Sequence, residues 1–217
     1  MFMKVIATNI GQAKEVNYRG KKITTGIFKY PVENGIYLEQ TDVKEDCVVD
    51  RRFHGGEDKA CYIYSYEAYE YWKNKYSSLE WSYGMFGENI TVSGLDETQI
   101  HIGAQYTIGE AIVEVSQPRQ PCFKLGIRMG TQAILKQFIN TTYSGVYVRV
   151  IKNGWVRSND SLKLYKSAPL APTIAEAFYC LYQPELTLEK FEKVLTCKAL
   201  ATSCKADILK RMEKMNK

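Results

Sequence analysis

The chain reads as a mainly β protein, a closed or nearly closed barrel followed by a small three-helix bundle. Three observations predict this. Short segments rich in β-branched and aromatic residues recur from Lys4 to about Leu164, punctuated by glycine, asparagine and aspartate. Helical patterning interrupts that run at only two stretches, Tyr66 to Tyr76 and Thr131 to Phe138. After Pro169 and Pro172 the apolar period changes to that of helices. So many short strands with so few helices favour a barrel over a doubly wound sheet.

The expected strands are centred on Val5-Ile6-Ala7, Gly35 to Leu38, Ala60 to Tyr64, Glu88 to Val92, and Ala111 to Val115. Further candidates are Gln105 to Ile108, Gly145 to Ile151 and Ser161 to Tyr165. In the tail, Thr173-Ile174-Ala175-Glu176 has the spacing of a capping box. Ile174, Ala177, Phe178 and Leu181 then share one helix face. Leu188, Phe191, Val194 and Leu195 mark a second amphipathic helix, and Ile208, Leu209, Met212 and Met215 a third. These divide the chain into a barrel over 1–168 and a helical unit over 169–217. Three short helices are marginal alone, so they are expected to dock on the barrel. A DNA-reading helix-turn-helix is the rival reading, but 8 basic against 6 acidic residues from Thr173 onward favours an ordinary structural bundle.

Composition narrows the partners. With 217 residues, 45% apolar and 24% charged, the chain has the make-up of a globular protein. Its net charge of +5 suits an anionic small ligand and is too weak for a polynucleotide. Met1 to Ile10 is too short and mixed for a signal peptide or membrane span. The six cysteines form no CxxC pair, so they are read as reduced thiols, with a cytoplasmic location expected and no membrane partner. Two histidines do not announce a zinc site, and no Gly-x-Gly-x-x-Gly or P-loop spacing occurs.

Cys122 is the residue on which chemistry is expected to centre. It follows Pro121 in Ser116-Gln117-Pro118-Arg119-Gln120-Pro121-Cys122-Phe123-Lys124-Leu125, with Arg119 and Lys124 within three positions. Nearby cations favour a thiolate, which is both a nucleophile and a soft-metal ligand. The structural alternative is a cysteine packed as a small hydrophobe. A second stretch, Asp50-Arg51-Arg52-Phe53-His54-Gly55-Gly56-Glu57-Asp58-Lys59, combines cations, a histidine and adjacent glycines. Adjacent glycines expose N–H groups to a phosphate or oxo-anion; a solvated glycine turn is the plainer reading. Thr24 to Pro31 adds hydroxyls and Lys29, and Phe86-Gly87-Glu88-Asn89 opens a strand with a carboxylate and an amide. The tyrosines at 62, 64, 66, 69 and 71 pass from strand to helix spacing and are read mostly as core.

Taken in order, Thr25-Gly26-Ile27-Phe28-Lys29, Arg52-Phe53-His54-Gly55-Gly56 with Lys59, Phe86-Gly87-Glu88-Asn89-Ile90, and Ser116 to Leu125 resemble the MOSC domain. That domain is named after the C-terminal part of molybdenum-cofactor sulfurase. The three-helix tail extends the resemblance to free-standing bacterial members of the YiiM type, linked to resistance to 6-hydroxylaminopurine. The resemblance implies a pyruvate-kinase-type β-barrel and the molybdenum cofactor (a molybdenum-pterin) in a cleft. It implies Cys122 as metal ligand and catalytic residue, with His54 also catalytic. It makes Lys29, Arg52, His54, Lys59, Asn89 and Arg119 candidates to bind the cofactor. The implied reaction is reduction of N-hydroxylated small molecules, with electrons from a separate donor protein and no turnover on NAD(P)H alone. The alternative role is a cofactor or sulfur carrier using Cys122 as a persulfide site; a non-enzymatic binding module would leave the setting of Cys122 unexplained. The pyridoxal phosphate associated with the wider family belongs to a fused desulfurase domain, for which this chain has no room. A monomer or homodimer is expected. One departure concerns a turn: Glu45-Asp46 stands where members commonly carry Gly-Asp.

Overall fold

The computed structural model describes residues 3–51, 55–183 and 187–215. In chain order the elements are β1 (Met3–Gly11), β2 (Lys14–Tyr18), β3 (Lys21–Thr25), β4 (Lys29–Pro31), β5 (Ile36–Leu38), β6 (Cys61–Ser65), α1 (Tyr66–Lys75) and β7 (Ile90–Ser93). There follow β8 (Gln105–Ile108), β9 (Ala111–Pro118), α2 (Phe123–Arg128), α3 (Ala133–Ile139), β10 (Val146–Lys152), β11 (Gly154–Val156) and β12 (Ser161–Lys166). The tail carries α4 (Ile174–Tyr182), α5 (Leu188–Leu195) and α6 (Thr202–Met215).

Seven strands close a barrel in the order β12-β8-β9-β10-β6-β7-β1, with β1 returning to pair with β12; β4 extends from β1. Closure removes the open edges that a sheet of this size would otherwise present. Only β6 and β7 among these neighbours run parallel, so a crossover must join them; α1 and the loop through Asn89 supply it. That crossover delivers the Phe86 to Asn89 segment to the outside of the barrel wall.

Alternation within β6 divides the interior into two. Cys61 and Ile63 join an apolar core that runs through Val5, Val92, Val113, Val148 and their neighbours. Tyr62 and Tyr64 point the opposite way, into a second core with Trp72, Phe86, Leu125 and Phe138 beneath α1, α2 and α3. Tyr62, Tyr64 and Tyr69 are buried as expected of core tyrosines, whereas Tyr71 is exposed.

The tail docks through apolar and polar contacts. Thr173 caps α4 with a full capping box, and Ile174, Ala177, Phe191, Val194 and Ile208 are buried. Several of these belong to the same apolar cluster as the barrel strands. Arg149 of β10 pairs with Asp58 and Glu114 and donates to the Ala199 carbonyl at 2.8 Å, bridging wall and tail.

Five elements depart from the expectation. The β2–β3 hairpin and β4 lie where no strand is expected, with Arg19 and Gly20 at positive φ in the hairpin's bend. β11 pairs with β5 outside the barrel. Helix α2 starts immediately after Cys122, in a segment whose glycine and short length conceal its period.

Candidate functional site

The cleft lies against the outward face of β6 and β10, where Tyr62 and Tyr147 are cross-strand partners with ring centroids 5.0 Å apart. Cys122 follows the end of β9 and is the N-cap of α2, in extended backbone (φ −128°, ψ 169°) and without a capping hydrogen bond from its thiol. It is partly exposed, unlike Cys61, Cys180 and Cys204, which are buried. Burial pushes the Cys180 thiol up to about 11 and the Cys204 thiol up to about 12, so neither offers a thiolate near neutral pH. Cys122 therefore differs from these in access to a ligand.

Arg119 is the second determinant. It is 5% exposed, with its guanidinium 5.3 Å from the Tyr62 ring centroid and 5.5 Å from that of Phe138. Its Nη1 is buried without a hydrogen-bond partner among the described residues. Burial opposes the charge, yet the guanidinium stays protonated beside Tyr62, Tyr147 and the Cys122 thiol. Tyr147 in turn is raised by burial, with Arg119 acting against the rise, so it presents a protonated hydroxyl. A buried cation with an unsatisfied donor is costly, and an anionic ligand in the cleft would satisfy it.

Lys29 and Asn89 also line the cleft, and both are engaged by a residue that sequence reasoning passed over. Asp46 pairs with the Lys29 ammonium, accepts from Gly11 N–H at 2.8 Å and accepts from Asn89 Nδ2 at 3.0 Å. Asn89 in turn accepts from Tyr62 N–H at 3.3 Å. Lys29 and Asp46 are nearly sealed from solvent (side chains 8% and 2% exposed), so the pair forms a rigid buried floor. Glu45 explains how the Gly-Asp turn survives its substitution: it takes φ 67°, the left-handed conformation that glycine ordinarily supplies. The only pointer to Asp46 in the sequence is that departure. Glu88 turns inward instead, accepting from Tyr69, Gly84 N–H, Phe86 N–H and Thr91 to brace the loop that presents Asn89.

Gly55 and Gly56 both have positive φ (71° and 79°), as the adjacent-glycine reading requires. The Gly56 N–H, however, donates to the Thr41 carbonyl at 2.9 Å and is not offered to a ligand. Gly26 is needed for close approach: a Cβ there would run into the Cys47 carbonyl at the cleft wall. Arg52 and His54 lie outside the described residues. Lys59 lies at the end of a short 3-10 turn and lines the cleft, its pKa lowered by burial against the pull of Cys204, Asp207 and Asp58.

Together Cys122, Arg119, Lys124, Lys59, Lys29 and Asn89 line one open chamber of about 660 Å³. A wider chamber of about 1510 Å³ adjoins it, sharing Cys122, Lys59, Lys124 and Tyr147. Among the described residues, no cluster of three or more His, Cys, Asp or Glu side chains forms an all-protein metal site. No helix of the described residues is long and apolar enough to cross a membrane.

Comparison with known proteins identifies the family. The MOSC domain family model matches residues 50–163. The protein YflK of Bacillus subtilis is 35% identical over 211 residues, covering 97% of this chain and 95% of that protein. A Gibberella moniliformis protein named "Reductase" is 31% identical over 148 residues, 67% of this chain but 26% of its own length. The crystal structure of YiiM from Geobacillus stearothermophilus superposes with a TM-score of 0.80 at 30% identity, covering 97% of this chain and 99% of that one. The chain belongs to the MOSC domain family, and is similar to the free-standing YiiM proteins over nearly its whole length.

Proposed function

We propose that this protein binds the molybdenum cofactor in the inner chamber and reduces N-hydroxylated small molecules, drawing electrons from a separate donor protein. The observation that carries the reading is Arg119, a nine-tenths buried guanidinium whose Nη1 has no hydrogen-bond partner among the described residues, in the same chamber as the accessible Cys122 thiol. A cofactor bearing anionic groups and a metal that lacks protein ligands fits that donor set. Cys122 would supply the thiolate ligand, and Arg119, Lys59 and Lys124 the charge-assisted hydrogen bonds. Lys29 and Asn89 would act through the floor they share with Asp46. The chemistry the cofactor supplies when bound is two-electron removal of oxygen. The overall change balances as R–NHOH with two electrons and two protons giving R–NH2 and water. The chain's own contribution is to seat the group, keep Tyr147 protonated as a donor, and bury one wall of the cleft against water.

The test is turnover by protein purified from a host that makes the pterin cofactor. With a viologen as artificial electron donor, 6-hydroxylaminopurine should be converted to adenine by wild type and not by Cys122→Ala. NAD(P)H alone should give no turnover. Molybdenum-loaded protein inert toward a hydroxylated base, an amidoxime and a hydroxylamine would overturn the reductase reading. A one-sulfur mass gain on Cys122 without molybdenum would replace it with the sulfur-carrier role.

A further inference from the structure

The two chambers that meet at Cys122 differ in charge. Among the described residues, the inner one is lined by four cationic side chains against two carboxylates, and the outer by two against two. The outer chamber is also the roomier, at about 1510 Å³, and adds apolar surface from Pro121, Phe123 and Ile23. Two of the polar groups that line it come from different parts of the chain. Gln120 belongs to the Cys122 loop, whereas Asp207 belongs to α6 of the helical tail. Gln120 Nε2 donates to Asp207 Oδ2 at 3.1 Å, and its Oε1 accepts from the Tyr182 hydroxyl at 3.5 Å. A further tie fixes α6 to this wall, where Ser203 Oγ donates to Gln117 Oε1 at 3.3 Å. The Asp207 carboxylate is thus oriented by an amide that is itself held, and its Oδ1 lies 3.9 Å from the Lys210 ammonium of the same helix, a distance that leaves lone pairs for a ligand.

We infer that the outer chamber is the substrate subsite, and that Asp207 with Gln120 reads the N–H edge of a flat, uncharged amino-heterocycle lying against Phe123 and Tyr147. The inference deepens the proposed function and rests on it for the type of substrate. The argument for the subsite is independent of the cofactor. An overall neutral chamber with aromatic and proline walls disfavours a polyanion and favours a planar ring. A preoriented carboxylate accepts from an exocyclic amine, and the second N–H of the adjacent Gln120 amide can donate to the ring nitrogen beside it. Leaving such groups unpaired against an analogue that lacks the N–H edge is what produces discrimination. The helical tail then has a role in specificity as well as in packing.

Calorimetric titration of adenine into cofactor-free protein tests this without any turnover. Saturable binding is expected, weakened about tenfold or more in Asp207→Asn, since hydrogen bonds to charged groups are the stronger kind. Purine, which lacks the exocyclic amine, should bind wild type more weakly and lose little further in the variant. Lys214→Ala, at the exposed end of α6, should leave adenine binding unchanged. Unchanged thermal stability of Asp207→Asn, together with wild-type molybdenum content from a cofactor-making host, shows that fold and inner chamber are intact. No saturable adenine binding by wild type, or equal affinity in Asp207→Asn, overturns the subsite. Adenine binding with no molybdenum uptake would overturn the proposed function and leave this inference standing.

Discussion

Removing either partner of the Lys29–Asp46 pair should be among the most destabilising single changes at the cleft. Asp46 holds three donors at once: the Lys29 ammonium, the Gly11 N–H and Asn89 Nδ2. With both side chains nearly sealed, Lys29→Met leaves a buried carboxylate without its counter-charge, at a cost of about 3–5 kcal/mol. Asp46→Asn keeps an acceptor for Gly11 but strands the ammonium, at a similar cost of about 3 kcal/mol or more. The double variant Lys29→Met/Asp46→Asn removes both charges and keeps the Gly11 acceptor. It should therefore be more stable than the two single losses added together, with a coupling of about 2 kcal/mol or more. Urea unfolding gives the measurement. With a slope of about 2 kcal/mol per molar, each single change should lower the midpoint by about 1.5–2.5 M. Single variants within about 1 kcal/mol of wild type, or a double variant equal to their sum, would refute a buried, mutually compensating pair.

Three further changes probe other parts of the fold. Glu97 is 2% exposed and accepts from Gly145 N–H at 2.8 Å, and burial pushes its carboxyl up to about 7. Because its folded pKa lies above the unfolded one, its contribution is full below the unfolded value and is lost as pH rises toward 7. Wild type should thus lose up to about 3 kcal/mol relative to Glu97→Gln between about pH 4.5 and 7.5, and parallel stability curves would contradict this. At the left-handed Glu45, the order of stability should be Gly at least equal to Glu, with Val about 1–2 kcal/mol worse, as read by thermal melts; a Val variant as stable as wild type would count against the turn. Thr173→Ala should cost about 1 kcal/mol through loss of the α4 capping box, measurable as a lowered urea midpoint. An unchanged midpoint there would mean the cap adds nothing in context.

Much of the barrel is legible because local pattern and long-range role agree. In β1, β9 and β10, buried and partly exposed residues alternate with the period that the sequence shows. The tail is equally legible, since Thr173 with Glu176 marks the start of α4 and the apolar spacing of Leu188, Phe191, Val194 and Leu195 marks α5. The hairpin β2–β3 is not, because Lys14-Glu15-Val16-Asn17-Tyr18 is mostly polar and exposed, and its stability comes from cross-strand pairing and the Tyr18–Phe123 ring contact. The site divides along the same line. Cys122, Arg119 and Lys124 are neighbours in sequence, so their chemistry can be read together. Asp46, Tyr147 and Asp207 reach the cleft from three distant segments, and each looks ordinary in its own. Only closure of the barrel and docking of α6 bring them beside the thiol.

The central claim is that Cys122 holds a metal in the inner chamber. It is tested most directly by the molybdenum content of protein purified from a cofactor-making host. Wild type should carry close to one molybdenum per chain, and Cys122→Ala should carry almost none while keeping its fold by circular dichroism. Equal molybdenum in the two proteins would contradict the assignment.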